Sequence, residues 1–149
     1  MIDAEDQLEQ FLARFLPEVA ATGRGAAAHL RRRLPGWDAL VYDNYNALAI
    51  GFSPDGSKRT LILSVALYPR WASLFVSARL DDPHGILKGS GGTVRHVVLA
   101  GGADDLDRPE IAALIDQTIE LAKGMSDPAR IGRLRIESIS AKQRPRRPA

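Results

Sequence analysis

Lys88-Gly89-Ser90-Gly91-Gly92-Thr93, followed by Arg95 and His96, is the densest anion-binding chemistry in the chain. Consecutive Gly and Ser residues let backbone N–H groups converge on an anion, and a nearby Lys and Arg reinforce the field. The spacing is not that of a Walker loop, and a strand rather than a helix follows. The same residues also serve as a flexible entry to a strand. Tyr68-Pro69-Arg70-Trp71 sets an aromatic on each side of a Pro-Arg corner, where a guanidinium steadied by Trp71 can grip a carboxylate or phosphate through its planar fork. Tyr42-Asp43-Asn44-Tyr45-Asn46 gathers hydrogen-bonding groups into a turn that can wall a pocket at a sheet end, although Asn and Asp are also what turns prefer. His29, His84 and His96 fall on three different elements without metal-site spacing. Asp3, Glu5, Asp6 and Glu9 offer oxygen ligands to a hard or borderline cation, but capping and solubility also account for them; Asp104, Asp105 and Asp107 cluster where a helix begins. There is no Ser-His-Asp order, Gly-x-Ser-x-Gly elbow or paired-carboxylate spacing, so no catalytic residue, metal ligand or cofactor is assigned.

The elements that position these residues follow from periodicity. Leu8, Phe11, Leu12 and Phe15 share one face of a helix over 3–16, capped by Asp3. A second helix begins after Pro17, weakened by Gly23 and Gly25, and ends at Pro35-Gly36. The period then changes to two. Strands are predicted over 39–43 and 47–52, with a Pro-Asp-Gly turn at 54–56. The run 60–68 reads as apolar on both faces and therefore central. Strands over 71–78 and 94–99 complete a meander with it. Asp107-Arg108-Pro109-Glu110 has the form of a capping box opening a helix to about Met125. A final half-exposed strand over 131–139 carries Arg133 and Arg135 near a sheet edge. Strands segregated from helices predict an α+β fold: a mostly antiparallel sheet of five or six strands with three helices on one face.

Composition bounds the rest. The chain has 149 residues, 45% of them apolar and 26% charged, which is one globular domain and not a disordered chain. It has no cysteine, which excludes disulfides, zinc–thiolate sites and thiol nucleophiles. No apolar run reaches membrane-span length, and the acidic first residues do not resemble a secretory signal, so a cytoplasmic protein without a membrane partner is expected. The net charge of +2 is uneven. From Arg130 onward seven basic residues stand against one acid, a net +6, which leaves the body at −4. Residues 142–149, Arg and Pro with nothing apolar to bury, are expected to be a disordered basic tail on a domain spanning 1–141.

The layout also resembles a known family. Two helices lead to Leu34-Pro35-Gly36-Trp37-Asp38, then come the polar turn at 41–46, the Leu67-Tyr68 strand end, the Lys88–Gly91 loop, Val94-Arg95-His96 and a late helix. Over residues 5–139 this is similar to the YdhG-like domains, a mostly uncharacterised bacterial family of small cytoplasmic α+β domains. Some members are described as frataxin-like intracellular iron chaperones. Members often carry a Tyr-Gly-Met-Pro-type turn where this chain has Tyr42-Asp43-Asn44-Tyr45-Asn46. The resemblance implies the fold and, as an alternative function, iron binding through the acidic first helix. The residues themselves point first to a non-catalytic module for a small anionic ligand, with Lys88, Ser90, Arg95, His96, Arg70, Trp71, Tyr42, Asn44 and Asn46 at a shared rim of the sheet. A third reading makes the Arg-rich end an accessory for nucleic acid or a protein partner, with nucleic acid not favoured. Ligand identity and oligomeric state are not specified by the sequence.

Overall fold

A computed structural model describes residues 2–149. Helix α1 is Ala4–Leu12, and its Asp3 cap accepts from the Asp6 N–H at 2.9 Å. It stops short of residue 16 because the chain turns ahead of Pro17, which opens helix α2, Pro17–Arg33. Strands β1 (Asp38–Asp43) and β2 (Leu48–Ser53) form a hairpin across Asn44–Ala47. After a short 3₁₀ turn at Lys58–Thr60 come β3 (Leu63–Leu67), β4 (Ala72–Ser77) and β5 (Val94–Val98). Helix α3 is Pro109–Leu121, and β6 is Leu134–Ile139.

The six strands form one sheet in the order β5-β4-β3-β2-β1-β6. Every pair is antiparallel except β1 with β6, so the fold is the expected α+β, with β3, β4 and β5 in a meander and β6 at an edge. The parallel β1–β6 pairing needs the long crossover that α3 supplies.

One sheet face builds the core. Ala39 and Val41, Leu48, Ile50 and Phe52, Leu63, Val65 and Leu67, and Ala72, Leu74 and Val76 alternate onto it. They pack against Leu8, Leu12, Val19, Leu30, Ile111, Leu114 and Ile115 from the helices. The two glycines that weaken α2 by propensity have a packing reason. A Cβ on Gly23 would stand 2.5 Å from Leu67 Cδ2, and one on Gly25 would stand 2.7 Å from Ala103 Cβ. Glycine lets the helix backbone lie close on the sheet at Gly23 and on the 3₁₀ turn Ala103–Asp107 at Gly25.

Three expectations change. The run 60–68 is not a strand apolar on both faces: β3 begins at Leu63, and Leu61 belongs to the loop that folds over Gly51 of β2. Asp107 does not cap α3; Asp107 ends a 3₁₀ turn (Ala103–Asp107), and Arg108 occupies the cap position ahead of Pro109 without a side-chain bond. Residues 142–149 do not hang free. The Arg144 N–H donates to the Tyr45 carbonyl at 2.9 Å, and Arg146 is buried. Composition gave the segment no apolar side chain to bury, but the body supplies a buried carboxylate, Asp43, that guanidinium groups can satisfy.

Candidate functional site

The opposite sheet face is shallow because its residues are small. Antiparallel register sets Tyr42 beside Ala49, Ala49 beside Ala66, and Ala66 beside Ser73. The next row along pairs Gly51 with Ser64 and Ser64 with Phe75. Ala49, Gly51, Ser64 and Ala66 therefore give β2 and β3, about 4.8 Å apart, a low floor bordered by Tyr42 on β1 and Phe75 on β4. Taller groups wall it. A trough of about 540 Å³ is lined by Asn44, Tyr45, Asn46, Ala49, Ser64, Ala66, Tyr68, Phe75 and Ser140. His96 on β5 stacks on Phe75 with ring centroids 5.1 Å apart.

A second cleft, of about 970 Å³, adjoins the trough and shares Asn46 and Tyr68 with it. One wall is the β3–β4 corner, Tyr68-Pro69-Arg70-Trp71, in which the Tyr68 and Trp71 rings stack at 5.1 Å and 23°. Burial pushes the Tyr68 phenol above its ordinary value. The other wall is Arg144, Pro145, Arg147 and Pro148. The Arg144 guanidinium lies over the Tyr45 ring, 5.7 Å from its centroid. Arg147 donates to the carbonyl of Arg14 at 3.1 Å. Among the described residues, none of Arg70, Arg144 and Arg147 meets a carboxylate.

The wall of residues 142–149 is fixed by Asp43. The Arg146 guanidinium donates to Asp43 Oδ1 at 2.8 Å and to the Asn44 carbonyl at 2.6 Å; Arg14 donates to Asp43 Oδ2 at 2.6 Å. Burial alone would raise the Asp43 carboxyl; Gln143, Arg146 and Arg14 outweigh it and hold the group below its ordinary value. A parallel cluster anchors the far end of β1. Asp38, fully buried, accepts from Arg130 at 2.8 and 3.1 Å, from the Arg133 N–H at 2.9 Å and from Arg135 at 2.5 Å. There too burial works to raise the carboxyl, and the Arg130 and Arg133 hydrogen bonds and the Arg135 charge bring it down.

The expected single rim does not form. Asn44, Asn46, Arg70 and Trp71 meet at one end of the sheet, and Tyr42 sits on the shallow face one strand from Ala49. Lys88 instead bridges to His96 along the outer edge of β5. The loop holding Ser90 leads into Val94, which pairs with Ser77 at the finish of β4, whereas Arg70 precedes its start at Ala72. The two ends lie roughly 17 Å apart at about 3.4 Å per residue. Arg95 turns from both, donating to the Leu80 carbonyl at 3.0 Å.

On α1, Arg24 holds Glu9 at 2.8 and 2.9 Å, and Arg31 holds Glu5 at 2.7 Å. The Arg24 hydrogen bonds keep the Glu9 carboxyl below its usual range against a small burial penalty. No group of three or more His, Asp or Glu side chains able to hold a metal gathers among the described residues. None of the described helices is long and apolar enough to cross a membrane.

The trough floor and the Arg144 and Arg147 wall are the parts that sequence reasoning missed. The floor does have a signal: Ala49 and Gly51 alternate with Leu48, Ile50 and Phe52, and Ser64 and Ala66 with Leu63, Val65 and Leu67. Comparison of the chain with protein-family models, with curated proteins and with solved structures found no match.

Proposed function

We propose that the protein is a non-catalytic binding module for a small anionic ligand, seated between the Pro69 corner and segment 142–149. The observation that carries this reading is the convergence of Arg70, Arg144 and Arg147 on one cleft with no carboxylate partner. Like charges held together without acids leave a positive field in a partly enclosed site, and the planar forks suit carboxylate or phosphate oxygens. The cleft volume falls in the range of small-molecule sites. Its lining side chains include no carboxylate, histidine or serine, which favours binding over catalysis. Arg146 is used inside the fold, which favours a cleft over an arm reaching for nucleic acid. The ion pairs on α1 speak against an exposed acidic surface for iron. The YdhG-like resemblance remains part of this reading for the order of elements alone.

Titration calorimetry with inorganic phosphate and with acetate, joined to the emission of Trp71, tests it. Saturable binding is expected, with Arg70→Ala and Arg144→Ala each weakening it about tenfold to a hundredfold, the worth of one charge-assisted hydrogen bond. Lys88→Ala, at the distant edge, is expected to leave it unchanged. Equal binding by all four proteins, or none by any, overturns the proposal.

A further inference from the structure

Resting on that reading, we infer that the ligand carries its oxyanion on a flat aromatic ring, and that the ring lies on the shallow sheet face next to the cationic cleft. The trough and the cleft are adjacent, with Asn46 and Tyr68 lining both. A ligand anchored by Arg70 and Arg144 therefore has its remaining atoms directed either into solvent or onto the floor of Ala49, Ser64 and Ala66.

That floor is shaped for a plane. Its rows are set by the register of Ala49 with Ala66 and of Gly51 with Ser64, so the small side chains are contiguous across β2 and β3, and Phe75 on β4 borders them. Leu61 bounds it by folding onto Gly51. Tyr45, Tyr68 and Phe75 stand around it, presenting ring faces and edges that stack offset or edge-to-face on an aromatic guest. A branched aliphatic chain gains no such contact. Tyr42 on β1 and Phe75 on β4 lie on strands about 14 Å apart, which leaves room between them for one ring or two fused rings. Asn44, Asn46 and Ser140 add amide and hydroxyl groups at the perimeter, where ring nitrogens or hydroxyls of a guest can bond.

The test compares paired probes that share a charge and differ in the ring: methyl phosphate against phenyl phosphate, and acetate against benzoate. The two pairs also tell which oxyanion the guanidinium groups prefer. For the full chain, the aromatic member of the preferred pair is expected to bind at least tenfold more tightly than the aliphatic one. Filling the floor with Ala66→Leu, or independently with Ser64→Leu, is expected to bring the aromatic probe to the affinity of the aliphatic one while shifting the aliphatic probe by less than twofold. Circular dichroism and the urea midpoint confirm that each variant is folded, and either one suffices. Equal affinity for both members of a pair, or a preference that survives both floor variants, overturns this inference and leaves the anion cleft standing. Failure of all four probes to bind overturns the cleft itself, and the ring site with it.

Discussion

Asp43 and Arg146 expose only 1% and 4% of their side chains, so each holds the other's charge in a place water does not reach. Removing one partner of such a pair strands the other, which costs about 3–5 kcal/mol, whereas replacing both by apolar groups is close to neutral. Asp43→Asn is therefore expected to lower the urea unfolding free energy by about that amount, and Asp43→Leu combined with Arg146→Met to recover much of it; Arg14, half exposed, can relax into solvent. The same carboxyl makes stability depend on pH. Its folded pKa lies below the unfolded value of about 3.9, as does that of Asp38. Between the folded and unfolded values the unfolded chain binds more protons, so stability rises with pH there. It is fully present above about pH 4 and is lost as pH falls through the folded values. Thermal midpoints of the native chain are expected to fall steeply below pH 4, with a shallower fall in a chain carrying Asp43→Asn.

Helix α2 shows how far local signals carry. Its boundaries follow from Pro17 at its first position and Pro35-Gly36 after its end, both visible in the sequence. The glycines inside it were legible only as a propensity cost, because their reason is a neighbour 44 positions away: Leu67 against Gly23. Helix propensity favours Gly23→Ala by about 1 kcal/mol, but the new methyl would stand 2.5 Å from Leu67 Cδ2, and overpacking typically costs about 1–3 kcal/mol. The expected result is net destabilisation in a urea titration. Gly124→Ala, where a Cβ meets nothing within 4 Å, is expected to be neutral or slightly stabilising. The strands tell the same story. In β2 and β3 large residues alternate with small ones and mark the core face, yet the run 60–68 read as apolar on both faces. Leu61 misled because periodicity cannot tell a strand residue from a loop residue that folds back onto the sheet.

At the scale of the whole molecule the site was half legible. Its corner, Tyr68–Trp71, and its turn, Asn44–Asn46, are local motifs, and the hairpin and meander bring them to one end of the sheet. The other wall was not legible, since segment 142–149 has no periodicity and its place is dictated by the buried Asp43 carboxylate together with the distant carbonyls of Arg14, Asn44 and Tyr45. Lys88 and Ser90 were misplaced although the meander fixes their end: the Pro69 corner precedes β4 and the sixteen-residue loop 78–93 follows it, so the two lie at opposite ends of that strand. The segment therefore joins two properties that a free tail would keep apart, stability and ligand binding. Ending the chain after Ala141 removes Arg146 from Asp43 and removes Arg144 and Arg147 from the cleft at once. The shortened chain is expected to unfold at lower urea and to lose phosphate or acetate binding entirely. Arg146→Met in the full chain separates the causes: Asp43 keeps Arg14, and Arg70, Arg144 and Arg147 stay in the lining of the cleft. Loss of stability with binding reduced only a fewfold is expected there. If the shortened chain instead matches the full one in both urea midpoint and anion affinity, segment 142–149 is no wall of the site, and the cationic cleft has no second side.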